Sequence, residues 1–443
     1  MKHPETNSDT QCPIPLYNWV PATRSHHVLP LLFPHKGGSM LKQQRINTIR
    51  SLLLKEKQVS VAELARLFEV TDRTIRRDLK QLAESGVAEL FFGGARFATI
   101  ENNALFKQVG INNIMNALSS KYINGQNGKS PKSNHMLGVY ILGSFNIDIV
   151  SEVPDFPREG ETIHSLSTGF YAGGKGSNQA TAAAKVNDHV HLAVKIGDDE
   201  FGSKARQYFS STDIHSFSIF EDKETHTGNA SIFVSQQSGE NFIAIDLGAN
   251  KTITDLELHQ EYELIENSRV FLTQLENNFE ATRQAIECAS ATGSLVMLNP
   301  APYIDECKSI IHLVDIVTPN ETEAQDMTGI EVTDIETAKQ AAQAIHNMGA
   351  KVIVMTMGSK GALMFDGQQY RHFPPYKAVV TDTSGAGDSF NGALAASLAN
   401  DLPLDYAIKF ASAYASLAVE RKGASNMPEA SLAEARLTEQ EKM

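Results

Sequence analysis

From residue 136 to the C-terminus, short apolar runs alternate with segments of helical hydrophobic spacing. The runs favour β-branched residues, and each leads into a turn that contains glycine or asparagine. In chain order they read LGVYILGSFN, HVHLAVKIG, RVFLTQL, SLVMLNP, DIVTPN and KVIVMTMG. This alternation is typical of an open, mostly parallel sheet with helices on both faces. Because such sheets bind ligands beyond the carboxyl ends of their strands, the pattern predicts an α/β domain over residues 136–443 with its site in these turns.

Residues 40–97 show a different pattern, in which three helical segments precede two short apolar strands. The first segment repeats apolar residues at helical spacing, namely Leu41, Ile46, Ile49 and Leu53. Ser60 and Glu63 have the spacing of a capping box that starts a second helix, VAELARLF. Thr71 caps a third helix that ends at Gly86, and VAELFFGGARF then predicts a strand pair broken by two glycines. This order of elements predicts a small winged helix-turn-helix domain.

The third helix of this domain is amphipathic, with an apolar face formed by Ile75, Leu79 and Leu82. Its other face is basic. Basic side chains on a helix that fits the major groove contact phosphates and base edges, although a lone basic helix is as often a solvated surface. The ordered set of three helices and a wing favours DNA binding. The candidate DNA-binding residues are Thr71, Arg73, Thr74, Arg76, Arg77 and Lys80.

This segment resembles the DNA-binding domain of the DeoR family of regulators. The matching residues read QQRINTI, VSVAELARLFEVTDRTIRRDL and the closing GGA at 93–95. The wing departs from the family pattern, because Glu89, Leu90, Phe91 and Phe92 precede the glycines where a basic residue is usual. The resemblance therefore implies DNA binding with a weak phosphate contact from the wing.

Two segments lack hydrophobic periodicity. The first is rich in proline and histidine and carries the only tryptophan, Trp19, which predicts disorder or an extension before a start at Met40. The second includes SSKYINGQNGKSPKSNH, a composition typical of a flexible linker. The expected divisions are an extension over 1–39, a winged helix-turn-helix over 40–97, a linker over 98–135 and the α/β domain over 136–443.

Charge is distributed unevenly along the 443 residues, whose net charge is −13. Residues 40–97 contain 11 Lys and Arg against 7 Asp and Glu, a local balance of +4 that leaves −17 for the remainder. This asymmetry favours an anionic partner for the N-terminal domain.

Composition also indicates the cellular compartment in which we expect the protein. The chain is 42% hydrophobic and 21% charged, with no apolar run near the roughly 18 residues that span a bilayer. The N-terminus lacks the layout of a secretory signal. Cys12, Cys288 and Cys307 have no metal-type spacing, which is typical of thiols in a reducing compartment. We therefore expect a cytoplasmic protein with no membrane partner.

The strongest candidate chemistry lies in TDTSGAGDSFNGALAASLA, residues 381–399. Small residues from Ser384 to Gly387 allow a phosphate to approach, and the amides of the following helix point at the same place. Asp388 stands at this helix start. A carboxylate there either caps the helix or takes part in the chemistry. Without such a role, a carboxylate beside a phosphate site would only repel the ligand.

Other polar residues follow other strands. AGGKGSNQ at 172–179 is again a glycine-rich turn into a helix, and Asn146 and Asp148 end the first strand of the domain. Each such residue alone is more often a turn or cap than a catalyst, but six clusters at strand ends of one sheet predict one site. The remaining members are Glu276, Asn320, Glu323, Thr356, Gly358 and Gly361.

Together these motifs resemble the ribokinase branch of the PfkB-type carbohydrate kinases, from Val139 to Gly423. Both family signatures are present, the GGKGSNQA region and DTSGAGDSFNGAL. NPAP at 299–302 and PNETEA at 319–324 are similar to ribokinase in particular, and deoxyribokinases share them. The resemblance implies a ribokinase-like fold with a small β lid.

The resemblance also implies roles for individual residues. Asp388 is the general base, and Gly385, Ala386 and Gly387 form the phosphate cradle. The sugar-binding residues are Asn146, Asp148, Gly174, Lys175, Asn178, Glu276 and Asp388. The ATP-binding residues are Asn320, Thr356, Gly358, Ser359, Gly361 and Gly387. Glu323 holds Mg²⁺ through water, and a K⁺ ion is bound by Asp382, Ser384, Ala418, Arg421 and Gly423, with ASNMPE beyond Gly423 one residue shorter than the usual pattern.

The segment SEVPDFPREGETIHSLSTGFYA, before GGKGSNQA, is expected to form the lid over the sugar. Lids of two subunits often pair in this family, and a helix-turn-helix module commonly binds paired half-sites. Both point to a homodimer.

The favoured function is ATP-dependent phosphorylation of the primary 5-hydroxyl of a pentose, with D-ribose first, coupled to a DNA-binding domain. Two alternatives remain open. The chain could be a transcription regulator that uses a kinase-like domain as a sugar sensor, or a kinase for deoxyribose, a ketose or a nucleoside. Intact Asp388, Lys175, Glu276 and Asn320 favour the enzyme, because a pure sensor needs no base.

Overall fold

A computed structural model of the protein describes residues 45, 46, 48, 49, 52, 53, 58–68, 70–84, 88–91, 93–97 and 137–441. The predictions for residues 1–39 and 98–135, and for Leu41 and Gly86, lie outside the described residues.

The N-terminal domain has helical residues between 45 and 53, two further helices and three short strands. The strands form an antiparallel sheet in the order β1–β3–β2, so the predicted strand pair gains a third member. Ile49, Leu53, Ile75, Leu79 and Leu82 are buried, as the helical spacing predicts. The elements are β1 (Gln58–Ser60), α1 (Val61–Leu67), α2 (Asp72–Glu84), β2 (Ala88–Phe91) and β3 (Gly94–Phe97).

Helix starts in this domain differ from the prediction in one respect. Thr71 caps α2, because its Oγ1 accepts the amide of Thr74 at 3.3 Å. The capping box predicted for Ser60 and Glu63 is wrong, since Ser60 makes no side-chain cap bond. The long-range contact at this helix end comes from the wing instead, where the carbonyl of Gly93 accepts the amide of Val61 at 2.9 Å and satisfies one of the donors there.

The C-terminal domain is built on a nine-stranded sheet in the order β16–β15–β14–β13–β12–β11–β4–β7–β8. It is parallel from β14 to β8, and β15 and β16 join antiparallel. The mostly parallel sheet predicted from the alternation is therefore confirmed. Its strands are β4 (Leu137–Leu142), β7 (Val190–Gly197), β8 (Ser216–Asp222), β11 (Ser268–Thr273), β12 (Leu295–Leu298), β13 (Ile316–Val317), β14 (Val352–Thr356), β15 (Ala362–Phe365) and β16 (Tyr370–Phe373).

Helices cover both faces of this sheet. Val139 and Ile141 face one core, against α3, α4, α9, α10 and α11, and the alternate residues Tyr140 and Leu142 face the other, against α5 to α8. The helices are α3 (Lys175–Ala184), α4 (Glu200–Ser210), α5 (Asp255–Glu266), α6 (Phe279–Thr292), α7 (Glu321–Thr328), α8 (Ile335–Asn347), α9 (Ala386–Ala399), α10 (Leu404–Ala418) and α11 (Ala430–Glu441). None of the helices that the structure describes is long and apolar enough to cross a membrane.

A separate four-stranded sheet, in the order β10–β9–β5–β6, forms the lid. The prediction of a lid over residues 151–172 is incomplete, because two of its strands come from later in the chain. The prediction that Asn146 and Asp148 end the first strand is wrong, since β4 ends at Leu142 and both residues lie on the lid. The strands are β5 (Asn146–Val153), β6 (Ser167–Gly173), β9 (Gly228–Ser235) and β10 (Asn241–Asp246).

Candidate active site

Asp388 is buried in the first turn of α9, which begins after Gly385 in a left-handed conformation with φ 74°. Both carboxylate oxygens accept hydrogen bonds from side-chain amides of α3. Asn178 Nδ2 donates to Oδ2 at 3.0 Å, and Gln179 Nε2 donates to Oδ1 at 3.0 Å. Asp388 and the glycine-rich turn at 172–179 therefore meet across 210 residues of sequence.

The glycines before and within α3 allow it to start against the turn after β4. A Cβ on Gly174, which has φ 90°, would lie 2.8 Å from the backbone of Phe145 and Asn146. A Cβ on Gly176 would lie 2.3 Å from the Cα of Gly143. Only glycine fits this approach, which brings the start of α3 to the end of β4.

Three acidic groups surround Lys175, the first residue of α3. The Oε2 of Glu276 accepts the Lys175 amide at 3.0 Å and the hydroxyl of Ser144. Burial lowers the pKa of the Lys175 ammonium, but the carboxylates of Asp388, Glu276 and Glu323 outweigh it and hold the pKa above its usual value. Lys175 is therefore a cation at neutral pH.

Acidic groups in this site are harder to ionise than in water. Burial, and then the charges of Glu276 and Asp388, raise the pKa of Asp148 to about 7. Burial also raises the pKa of Glu276, against the opposing effect of Lys175. Two neighbouring acids whose pKa values are both raised are typical of a functional site, because a structural carboxylate is usually paired and fully ionised.

Asn320 and Glu323 meet at the start of α7 in a capping box. The Asn320 Oδ1 accepts the amide of Glu323 at 2.8 Å, and the Glu323 carboxylate accepts the Asn320 amide at 2.9 Å. Burial is the main cause that raises the pKa of Glu323 to about 7. Asn320 also forms a parallel bridge to Thr356 at the end of β14. The turn after β14 holds Gly358, Ser359 and Gly361, so these ATP-site candidates follow neighbouring strands.

The residues predicted around a K⁺ ion lie on two adjacent segments. The Asp382 carboxylate accepts the amides of Ser384 at 2.8 Å and Gly423 at 2.9 Å, which joins three of the five residues. The carbonyl of Ala418, at the end of α10, accepts the amide of Arg421 at 3.0 Å. In the described part of the chain, no three His, Cys, Asp or Glu residues are grouped as a metal site.

The structure adds residues that the motif analysis left without a role. Asn250 is buried and donates to Asn146 Oδ1 at 2.9 Å, which leaves the amide nitrogen of Asn146 for a ligand. Gln179 donates to Asp388, and Gln274 and Asn299 are hydrogen-bonded to Gln179. Gln179 lies in AGGKGSNQ and Asn299 in NPAP, so both could have been found from the sequence motifs. Asn250 lies in IDLGAN, where no pattern marked it.

A glycine-rich helix start, a buried carboxylate in its first turn and further buried carboxylates around a lysine fit one class of protein: an ATP-dependent sugar kinase. The chain matches the model of the pfkB family carbohydrate kinases over residues 136–431 and that of the DeoR-like helix-turn-helix domain over residues 45–101. It belongs to the pfkB family, on its ribokinase branch, and carries a DeoR-like helix-turn-helix domain.

Named relatives support this assignment. The chain is 36% identical to the ribokinase of Haemophilus influenzae, over 65% of this chain and 93% of the relative. It is 34% identical to the deoxyribokinase of Salmonella typhi, over 65% of this chain and 94% of that relative. The structure of Arabidopsis thaliana ribokinase complexed with ribose and ATP is 29% identical, covers 68% of this chain and 98% of its own, and superimposes with a TM-score of 0.61.

Proposed function

We propose that the protein phosphorylates the primary hydroxyl of a pentose, with D-ribose as the favoured substrate and Asp388 as the general base. The observation that carries this proposal is the pair Asp388–Asn178. Asn178 donates to the base, while its own Oδ1 is buried without a hydrogen-bond partner among the described residues. A buried acceptor of this kind is costly unless a ligand satisfies it, and a sugar hydroxyl beside the base does so.

In the proposed reaction, Asp388 takes the proton of the sugar hydroxyl as its oxygen attacks the γ-phosphorus of ATP. The new P–O bond forms while the bond to the bridging oxygen breaks, and ADP leaves. Backbone amides at 385–387 and the ammonium of Lys175 stabilise the charge on the transferred phosphoryl group. A positioned base of this kind supplies roughly 10²–10⁴-fold in rate.

Asp148 and Glu276 are the proposed acceptors for the other hydroxyls, and the further proposed sugar-binding residues are Asn146, Gly174, Lys175 and Asn178. An ionised carboxylate accepts from two hydroxyls, so this pair suits a polyol and penalises an analogue that lacks one. Ribose and 2-deoxyribose differ by one such hydroxyl. Identities of 36% and 34% to kinases of the two sugars do not separate them.

The nucleotide is proposed to bind along the turns after β13 and β14. The proposed ATP-binding residues are Asn320, Thr356, Gly358, Ser359 and Gly361 in these turns, and Gly387 at the start of α9. Glu323 suits a Mg²⁺ ion held through water, because Mg²⁺ in kinases uses one or two carboxylates beside the substrate phosphates and needs no protein cage. Mg²⁺ neutralises phosphate charge when bound. A K⁺ ion beside the cradle is proposed at Asp382, Ser384, Ala418, Arg421 and Gly423.

The N-terminal domain is proposed to bind DNA through α2. Arg73, Arg76, Arg77 and Lys80 are exposed on this helix, and Thr71 and Thr74 lie at its start. On the wing, Arg96 is paired with Glu89 at 2.7 Å, so the wing offers little free positive charge to a phosphate. The DeoR-like match also favours the second candidate function, a regulator that senses sugar.

The test is ATP-dependent phosphorylation of a sugar panel, with ribose and 2-deoxyribose side by side and Asp388→Asn as the matched control. Turnover on ribose that the variant loses by at least about 100-fold supports the proposal. Tight sugar binding without turnover by the wild-type protein would sink the catalytic role and leave the sensor.

A further inference from the structure

We infer that Gln179 is the residue that positions the catalytic base, and that Gln274 and Asn299 hold Gln179 in the orientation this needs. The inference rests on the proposed role of Asp388. It concerns a buried chain of side-chain amides that connects the ends of three strands to the carboxylate.

This series of hydrogen-bonded amides begins at a group that can only accept a hydrogen bond. The backbone carbonyl of Thr318, just after β13, accepts from Asn299 Nδ2 at 3.2 Å. Asn299 Oδ1 therefore faces the other way and accepts from Gln179 Nε2 at 3.0 Å. Because a carbonyl oxygen cannot donate, this anchor decides which end of each amide points where.

Gln179 uses every polar atom of its side chain. One hydrogen of Nε2 goes to Asn299 and the other to Asp388 Oδ1 at 3.0 Å, while its Oε1 accepts from Gln274 Nε2 at 2.6 Å. The Gln179 side chain is fully buried, and Gln274 is almost so. A flipped amide would place two oxygens against each other at Asp388 and at Asn299, so the donor must face the base.

The two helices that carry this contact are held together one turn from the base. A Cβ on Gly392 of α9 would lie 2.2 Å from the backbone oxygen of Gln179 on α3. The backbones can therefore approach closely enough for the Gln179 side chain to span the gap to Asp388. The position of one carboxylate oxygen is thus set by backbone packing and a satisfied amide.

Gln179 and Asn178 differ in whether their hydrogen bonds can change when a substrate binds. Asn178 is a proposed sugar ligand with an unpartnered Oδ1, so its contacts can change when sugar binds. Gln179 has no spare donor or acceptor. It keeps Asp388 Oδ1 in place while Oδ2, the oxygen shared with Asn178, serves the hydroxyl.

Gln179→Met keeps the volume and removes both donors. We expect kcat for the sugar to fall roughly 10- to 100-fold, because a base misplaced by about 1 Å costs that much, while the sugar Kd measured by calorimetry stays within about threefold. Gln274→Met, which removes one donor to Gln179, should lower kcat less. The matched control is Asn400→Ala, which removes the amide contact of Asn400 with Asn187 at the far end of α9 and should leave kcat unchanged.

A double-mutant cycle separates positioning from a loss of structure. In the Asp388→Asn background, Gln179→Met should cause no further loss of residual turnover, because the group through which it acts is gone. An unchanged kcat in Gln179→Met, an equal loss in Asn400→Ala, or a full additional loss in the double variant would overturn the inference. If Gln179→Met does not fold, the same measurements on Gln274→Met, alone and combined with Asp388→Asn, test the inference. If Asp388→Asn keeps the wild-type rate, the proposed function itself fails.

Discussion

At the scale of single residues, the site is organised by charge. Lys175 stands among Asp388, Glu276 and Glu323, and its positive charge is held by them against the effect of burial. Asp148 lacks such a cation among the causes that set its pKa, so burial and like charges dominate there. The site therefore combines a lysine whose positive charge is stabilised with an aspartate, Asp148, that changes charge near neutrality.

Sugar affinity is expected to depend on pH through Asp148. The raised pKa of about 7 means that Asp148 is protonated below that pH and ionised above it. If the ionised form accepts sugar hydroxyls, Kd rises as pH falls, by about tenfold between pH 8 and pH 6. Calorimetric titration of ribose across this range measures it.

The control for this experiment is Asp148→Asn, which should bind sugar weakly and with the same Kd at both pH values. A wild-type Kd that does not change between pH 6 and pH 8 would contradict the assignment of Asp148 as a hydroxyl acceptor.

At the scale of elements, two helix starts make the site, and each depends on glycine for a different reason. At the start of α3, Gly176 is packed against the backbone of Gly143 and Ser144. At the start of α9, a Cβ on Gly387 would meet nothing within 4 Å. The first glycine is required by the fold, and the second leaves open the space proposed for a phosphate.

This difference predicts opposite behaviour of two Gly→Ala variants. Gly176→Ala should lower stability by about 1–3 kcal/mol, because its Cβ overlaps backbone that cannot move aside cheaply. Gly387→Ala should keep the wild-type melting temperature but raise the KM for ATP, since its methyl group enters the phosphate space. Thermal unfolding and steady-state kinetics on both variants test this, and a destabilised Gly387→Ala with normal kinetics would count against the cradle.

Helix α2 carries the prediction for DNA. Arg76 and Arg77 are exposed on this helix, whereas Ile75 and Leu79 are buried, so each arginine can neutralise one phosphate. Replacing either with Ala should reduce the slope of log K against log salt by about 1. Gel-shift titrations with the upstream DNA of its own gene measure the slope, and Arg96→Gln on the wing, already paired with Glu89, should change it little. No binding at low salt would remove the proposed role of this domain.

At the scale of the whole molecule, the lid leaves apolar side chains exposed on both faces of its sheet, since neighbours such as Phe242 and Ile243 point to opposite faces. The exposed residues on its strands are Phe170, Tyr171, Phe233, Phe242, Ile243 and Ile245. An apolar surface of this extent on a sheet favours association with another subunit, and a homodimer also fits a helix-turn-helix module that reads paired half-sites. We therefore propose that two lids pair.

Ile243→Asp should convert the dimer to a monomer, because a carboxylate buried in an apolar interface without a partner costs several kcal/mol. Leu256→Asp is the matched control, since Leu256 is also exposed but lies on α5 away from the lid strands. Sedimentation velocity separates the two states. A wild-type monomer, or a dimer that survives Ile243→Asp, would exclude pairing through the face of the lid that carries Ile243.

The sequence by itself determined the alternation of strands and helices and the two helix starts with their glycines and Asp388. Hydrophobic period and glycine position act over a few residues, so they can be read from the chain. Only the tertiary structure decided which distant groups meet: Gln179 with Asp388, Asn250 with Asn146, and β5 with β9 in the lid. These pairings join segments tens to hundreds of residues apart, and they depend on how crossover connections stack strands and helices, which no local pattern encodes. At the helix start after Ser60 the predicted capping box is absent, and the contact found there, between Val61 and Gly93 of the wing, is again one that joins distant residues.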